Sequence, residues 1–294
     1  MSRGARHPVD DFLFEYYPTR AAQLRRWHPG LGTALAGAHE FENDPSYRPL
    51  VIEGREVITV DPLHFARRRD GLAWVEGLLR RTAERPARLG CFGLHEWAMV
   101  YGLEQSEVRH EVWPLRLEPQ EIRAVVNEHG LRCTHYDAFR FFTPEAAPMN
   151  ETPLTRASQH DLDQSGCLHA TMDLYKWSAK FVALVGSDLV ADAFSLAREV
   201  RQLDMEAAPY DLSALGYRTV AIETSDGRAE YVGRQRDFSE RGAPLRHRLL
   251  ASLGSALAQI DQLEGRNQSS PNPPMSVGRA DQLRRGPRPD TLSP

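Results

Sequence analysis

The sequence contains little lysine and cysteine and no long apolar run. Of its 36 basic residues only two, Lys176 and Lys180, are lysines. Three cysteines without a C-x-x-C pair exclude a disulfide framework and are typical of a reducing compartment. No window approaches about 18 uninterrupted apolar residues, and charges interrupt Met1 to Asp11, where a secretory signal needs an apolar stretch. The sequence therefore predicts a cytoplasmic protein without a membrane partner.

The signature motifs of several enzyme classes are also missing. The chain has no P-loop, no G-x-G-x-x-G, no G-x-S-x-G elbow and no EF-hand loop, which disfavours nucleotide hydrolases, Rossmann dehydrogenases and α/β-hydrolases. The net charge of −4 is unevenly divided, because residues 265–294 carry five Arg and two Asp and leave −7 for the remainder. A nucleic-acid role would therefore depend on a local basic patch.

Length and composition are those of an ordinary globular protein. The 294 residues are 41% hydrophobic and 26% charged, which favours one large domain or two closely packed ones. Residues 265–294 are rich in Pro, Ser, Gly and Arg and have almost nothing to bury. The predicted organisation is a globular domain over residues 1–264 followed by a disordered tail over residues 265–294.

Hydrophobic periodicity and capping signals indicate more helix than strand. The predicted fold class is a mainly helical α+β single domain with a few short strands. The predicted helices are 67–84, 121–128, 168–184, 188–206 and 228–261, and the predicted strands are 57–60, 112–117 and 218–223.

A row of ionisable residues follows one face of the predicted helix 168–184. His169, Asp173, Lys176 and Lys180 lie on one side of it, and apolar residues fill nearly all the rest of the circumference. Such a helix is expected to be buried, so that these groups have to pair or face a cavity, where perturbed pKa values suit acid–base chemistry. The alternative is an ordinary amphipathic helix whose ion pairs are solvated.

Two further segments combine histidine with acidic and aromatic residues. They are GCFGLHEW, with His95, and RCTHYDAFRFF, with His135, and each of the three cysteines lies within four positions of a histidine. Imidazoles and a carboxylate of this kind can bind zinc or iron, although no HExxH motif accompanies them. The candidate metal ligands are His95, His135, Asp137 and His169. The alternative is that these histidines are polar residues satisfied at the edge of an aromatic core.

Two other features have competing interpretations. Arg201 and Asp204 project among the apolar residues of helix 188–206, which favours a structural ion pair over a substrate-binding guanidinium. The opening FLFEYYPTRAAQLRRWHPG interleaves aromatic residues and arginines. That composition suits base stacking in a non-catalytic nucleic-acid-binding protein, but a strap laid over the core is favoured.

Six segments carry a resemblance to a known family: FLFEYYPTRAAQLRRWHPG, GCFGLHEWAMVY, QSEVRHEVWPLRL, CTHYDAFRFFTPEAAPMN, GCLHATMDLYKW, and SDLVADAF through LDMEAAPYDL. Over about residues 8–250 the chain resembles a mainly actinobacterial family, with plant relatives, that is named 3-methyladenine DNA glycosylase. No helix-hairpin-helix signature of other base-excision glycosylases is present.

The resemblance implies a DNA-repair hydrolase that releases an alkylated purine from an extruded nucleotide. A carboxylate would activate water and stabilise the sugar cation, and a histidine would orient that carboxylate. Aromatic rings would stack on the base. The catalytic candidates are Asp137, Asp173, His135, His169, Glu96 and Lys176. The substrate-binding candidates are His95, Trp97, Tyr136, Arg140, Tyr175, Arg201 and Asp204.

Two alternatives stand beside the glycosylase. One is a metal-dependent hydrolase or oxygenase that acts on a small molecule through the four candidate metal ligands. The other is the non-catalytic nucleic-acid-binding protein. No cofactor other than this metal is expected.

Overall fold

The computed structural model describes residues 7–17, 19–108 and 113–269, with side chains up to residue 266. Within these ranges the fold is a mainly helical α+β single domain, which confirms the predicted class. The strands are β1 (Ala34–Leu35), β2 (Tyr47–Ile52) and β3 (Arg55–Val60). The helices are α1 (Phe12–Glu15), α2 (Arg69–Glu84), α3 (Leu94–Ala98), α4 (Pro119–His129), α5 (Tyr136–Phe139), α6 (Gln159–Leu162), α7 (Leu168–Lys180), α8 (Val182–Val185), α9 (Ser187–Glu206) and α10 (Ser225–Ser269).

Four helices, α2, α7, α9 and α10, form the centre of the fold. Helix α7 packs against both α9 and α10, and α10 also packs against α2. Because α7 is apolar around most of its circumference, neighbours cover it on several sides, and Met172, Leu174 and Tyr175 are buried. Polar side chains on the same helix are consequently enclosed as well and have to find partners inside the protein.

The three strands form a small antiparallel sheet in the order β1-β3-β2. β2 and β3 are joined by Glu53 and Gly54, whose φ angles are 51° and 75°. Positive φ at both central residues is the requirement of a tight type I′ hairpin. The predicted strand 57–60 falls within β3. The sheet lies away from the polar side chains of α7 and is not part of the site described below.

Two predicted strands are wrong. The described part of 112–117, which excludes its first residue, makes only a single bridge, between Leu115 and Tyr210. Residues 218–223 are not a strand, because the backbone N–H of Val220 bonds to the end of α9 instead of to a neighbouring strand. Alternation of side chains shows that a segment can be extended, but a strand also needs a partner.

Helix positions agree with the predictions better than helix ends do. The helix predicted over 168–184 is interrupted at Phe181, which separates α7 from α8. Helix α10 continues to Ser269, so the predicted tail 265–294 begins too early, and residues 270–294 of it lie outside the described residues. No helix in the described ranges combines the length and the apolarity that crossing a bilayer requires.

Candidate metal centre

The ionisable face of α7 points into the protein. His169 and Asp173 are buried, and the side chain of Lys176 is only 19% exposed. Lys180 lies at the end of the helix, with its ammonium 5.4 Å from the centre of the Trp177 ring and without a carboxylate partner among the described residues. Three of the four ionisable residues, His169, Asp173 and Lys176, are therefore largely enclosed, as the apolar circumference of the helix predicts.

Helix α3 brings a second imidazole to α7. It begins after Gly93, whose φ of 73° is in the left-handed region and whose missing Cβ leaves room for the Tyr231 ring, 3.1 Å from where that atom would lie. His95 and Glu96 follow in the first turn and are buried. The rings of His95 and His169 meet edge to face, with their centres 4.4 Å apart.

His95, His169 and Asp204 form the first ligand group. One ligand atom from each residue lies within 4.8 Å of the other two. His95 Nε2 is 2.9 Å from Asp204 Oδ1, so the imidazole and the carboxylate form a buried ion pair. Two ligands held at right angles about 2.1 Å from one metal ion would be about 3 Å apart, so this arrangement fits ligands of a common ion.

The ionisation of this group suits metal binding. Burial lowers the pKa of His169 far below its usual value, and the nearby charge of His95 adds to the effect. His169 is therefore a neutral imidazole, and its unprotonated ring nitrogen has a lone pair available for a metal ion. Burial would raise the pKa of Asp204, but His95 and Arg201 outweigh it and the pKa lies below its usual value. For His95 the attraction of Asp204 outweighs burial and raises the pKa.

Arg201 orients the carboxylate of this group. Its Nη1 donates to Glu96 Oε1 at 2.8 Å and to Asp204 Oδ2, and its guanidinium lies 3.9 Å from the centre of the Phe12 ring. Glu96, Arg201 and Asp204 are buried, and Phe12 is partly buried. The ion pair favoured from the sequence therefore forms, and it leaves Asp204 Oδ1 directed at His95.

His135, Asp137 and Asp173 form the second ligand group, again with ligand atoms within 4.8 Å of one another. His135 Nε2 lies 3.8 Å from Asp173 Oδ2, and Lys176 Nζ lies 2.8 Å from Asp137 Oδ2 and 3.1 Å from Asp173 Oδ2. Burial would raise the pKa of Asp137, but the hydrogen bond and the charge of Lys176 outweigh it and lower the pKa. The two groups adjoin, because the His135 and His169 rings stack at 5.4 Å.

Several residues that hold the second group were missed at the sequence level. Asp163 Oδ1 lies 3.1 Å from His135 Nδ1, and Gln159 donates to the other Asp163 oxygen at 3.1 Å. The Tyr17 hydroxyl donates to Asp173 Oδ1 at 3.2 Å. No spacing signal marks Asp163 or Gln159 as partners of a histidine, whereas Tyr17 belongs to the aromatic opening. Phe12, Tyr16 and Tyr17 of that opening pack on the core beside the site, as the predicted strap requires, whereas Trp27 is half exposed.

Two cavities meet at His169. The smaller, of about 200 Å³, is lined by Phe12, Tyr16, Phe141 and Tyr210 together with Glu96, Asp137 and Arg201. The larger, of about 360 Å³, is lined by His95, all three cysteines, Arg88 and Arg132. Burial raises the pKa of Cys133 to about 12, so its thiol is neutral at physiological pH. A molecule in either cavity would therefore lie against the His169 imidazole.

The structure corrects some of the predicted site residues. Trp97, predicted to bind substrate, is a core residue whose Nε1 donates to the carbonyl of Ala207 at 2.9 Å. Tyr175 is also in the core, packed edge to face on Tyr17 and Phe194. Both rings were expected to stack on a base, as the resemblance implies, whereas the helices turn them into the core.

The remaining candidates lie nearer the surface or in different groups. Tyr136 and Arg140 lie at the edge of the site, with the Arg140 guanidinium 4.6 Å from the centre of the Phe141 ring. The four predicted metal ligands do not converge on one point: two belong to the first ligand group and two to the second. The completing carboxylates, Asp204 and Asp173, were not assigned as ligands from the sequence.

The chain matches no protein-family model, no curated protein and no solved structure. What the protein does therefore has to be argued from the geometry of the site.

Proposed function

We propose that the protein is a metal-dependent enzyme that hydrolyses a small molecule, and that His95, His169 and Asp204 bind its divalent cation. The observation that carries this proposal is the convergence of two buried imidazoles and one buried carboxylate, with ligand atoms within 4.8 Å of one another and His95 Nε2 2.9 Å from Asp204 Oδ1. Two imidazoles and one carboxylate with a cavity beside them are a common ligand set of catalytic metal sites.

The charge balance of the site supports the same proposal. Five carboxylates converge there, whereas the enclosed cations are Lys176 and Arg201. Together these carboxylates and cations carry a formal charge of −3, which is costly in a buried site. The raised pKa values of His95 and His135 favour protonated rings that offset part of this charge in the metal-free protein. A divalent cation removes most of that cost. The five carboxylates are those of Glu96, Asp137, Asp163, Asp173 and Asp204.

The protein's own groups suit hydrolysis. A bound divalent cation acidifies water and polarises the group that the water attacks. Asp137 lines the smaller cavity together with His169 and is kept ionised by Lys176, so it can accept a proton from water or substrate at that point. Burial raises the pKa values of the three thiols that line the larger cavity, so they add no negative charge there. The three free cysteines fit a cytoplasmic enzyme.

The smaller cavity, which Asp137 lines, fits a small substrate better than a DNA duplex, whereas the larger one also carries Arg88 and Arg132. The smaller one carries the carboxylates of Glu15, Glu96 and Asp137 against the single guanidinium of Arg201. That is the opposite of a phosphate-binding surface, which relies on Lys and Arg. Aromatic rings make up much of its remaining wall. A neutral or cationic molecule with a flat apolar part is therefore the favoured substrate class.

Metal analysis tests this proposal directly. We expect the purified protein to contain about one equivalent of zinc, manganese or iron by elemental analysis. Removing the metal with a chelator should lower the free energy of unfolding, and restoring it at about 100 times its dissociation constant should recover about 2.7 kcal/mol. A protein that stays free of metal after incubation with each of these ions, and whose unfolding curve none of them shifts, would contradict the proposal.

A DNA glycosylase is the second candidate, and the aromatic, acid-lined smaller cavity favours it specifically. An alkylated purine is flat and carries positive charge, which suits rings and carboxylates. Asp137 would then assist the attack of water on the sugar.

The glycosylase is tested by release of 3-methyladenine from alkylated duplex DNA in excess chelator. If this candidate holds, wild type releases the base without metal, Asp137→Asn lowers the rate by about 100-fold or more, and Asp161→Asn does not. Asp161 is a suitable control because it is an exposed carboxylate paired with Arg81. No release by wild type would remove the candidate, whereas release that requires metal would favour the metal-dependent enzyme.

A further inference from the structure

The second ligand group already contains a cation. Lys176 Nζ lies between Asp137 Oδ2 and Asp173 Oδ2, at 2.8 and 3.1 Å. His135 Nε2 is 3.8 Å from the same oxygen of Asp173. Without the ammonium, two carboxylates and an imidazole would form a ligand set that suits a divalent ion.

We propose that the Lys176 ammonium takes the place of a second metal ion. The centre then holds one metal ion in the first ligand group and a covalently attached cation in the second. This inference rests on the proposed function, because it takes the first ligand group as the occupied metal site. It makes Lys176 the residue that determines how many ions the centre binds.

The choice of lysine at this position supports the proposal. Of the 36 basic residues 34 are arginines, and the two lysines are both on α7. A guanidinium spreads its charge over a planar fork, whereas an ammonium concentrates it at one atom and is the closer substitute for an ion. The Lys176 side chain is largely enclosed, with its Nζ 4.6 Å from the centre of the Trp177 ring.

Two of the three other members of the group, His135 and Asp173, are held in place independently of Lys176. Asp163, itself bound by Gln159, lies against His135 Nδ1 and so turns Nε2 toward Asp173. Tyr17 holds the second oxygen of Asp173. These two ligands are therefore expected to persist when the ammonium is removed, and Asp137 stays within ion-pair distance of Arg140 and Arg156, at 3.8 and 3.7 Å. An ion would have to draw the two carboxylates inward by less than about 1 Å.

The experiment compares Mn²⁺ binding to wild type, Lys176→Met and Lys180→Met. Methionine keeps the unbranched stem on Trp177 and removes only the charge. Lys180 is the matched control, because it is the other lysine of the same helix, also lies over Trp177 and contacts no carboxylate among the described residues. Stoichiometry is measured by equilibrium dialysis, and the proximity of the ions by electron paramagnetic resonance. Lys176→Ala is a second variant should the methionine variant not fold.

The expected result is one Mn²⁺ in wild type and Lys180→Met, but two in Lys176→Met, with spectral broadening from two neighbouring ions. Two ions in wild type would overturn the inference without any variant. One ion in all three proteins would overturn it while leaving the proposed function intact. No ion in wild type but one in Lys176→Met would remove the proposed first site and keep the role of Lys176, and no ion in any protein would remove both.

Discussion

Replacement of His169 by alanine is expected to lower the affinity for Mn²⁺ by more than about 100-fold. Loss of a residue that only supports a metal ligand lowers affinity by up to about 100-fold, and loss of the ligand itself should cost more. The reason is that His169 is the ligand between the two cavities and its ring is neutral. Asp204→Asn should lower the affinity as well, because an amide is a weaker ligand than a carboxylate. Isothermal titration of metal-free protein with Mn²⁺ measures both effects.

The control for this prediction is His28→Ala. His28 is equally buried, but its Nδ1 lies 2.7 Å from the Tyr47 hydroxyl, and it belongs to neither ligand group. Its loss should cost stability and leave Mn²⁺ affinity within about twofold, since only ligands and their supporting partners set that affinity. Equal losses of affinity in the His28 and His169 variants would mean that general destabilisation, and not ligand loss, explains the result.

Replacement of Arg201 by methionine is expected to lower the free energy of unfolding by about 3–5 kcal/mol. The variant removes the guanidinium that Glu96 and Asp204 share, and it leaves two enclosed carboxylates without this partner. The loss of cation–π contact with Phe12 adds to the effect. Urea unfolding of metal-free protein at neutral pH measures the change.

Arg198→Met is the matched control, one turn earlier on α9. Arg198 pairs with Asp10, but both side chains are about half exposed. Such pairs contribute about 0–1 kcal/mol, so the control should change stability by no more than that. A similar small effect for Arg201→Met would show that its two carboxylates are reached by water and that the charge balance argued for the metal centre is incorrect.

Glu96 provides an internal check on the same ion pair. If the cost in Arg201→Met comes from unpaired carboxylates, the double variant Arg201→Met, Glu96→Gln should recover part of the lost stability. Recovery would follow because the double variant removes the Glu96 charge together with the Arg201 guanidinium, which leaves only the Asp204 carboxylate without that partner. The coupling between the two substitutions separates this electrostatic cost from the loss of packing on Phe12.

The predictions from the sequence that proved reliable were those that depend on one helix. The period of α7 placed its ionisable residues on one face, and its apolar circumference indicated burial, which the structure shows for His169 and Asp173. The same reasoning placed Arg201 and Asp204 together on α9 as an ion pair. Aromatic candidates were less reliable, since Trp97 and Tyr175 turned out to be core residues.

What the sequence by itself determined is the mainly helical class, the enclosed face of α7 and the buried pair on α9, because periodicity along one helix decides which residues share a face. Only the tertiary structure decided that Asp204 joins His95 and His169, that His135 belongs to a separate group, and that Lys176 lies between two carboxylates. These pairings depend on how α3, α7 and α9 pack, and packing brings together residues whose separation in sequence carries no period.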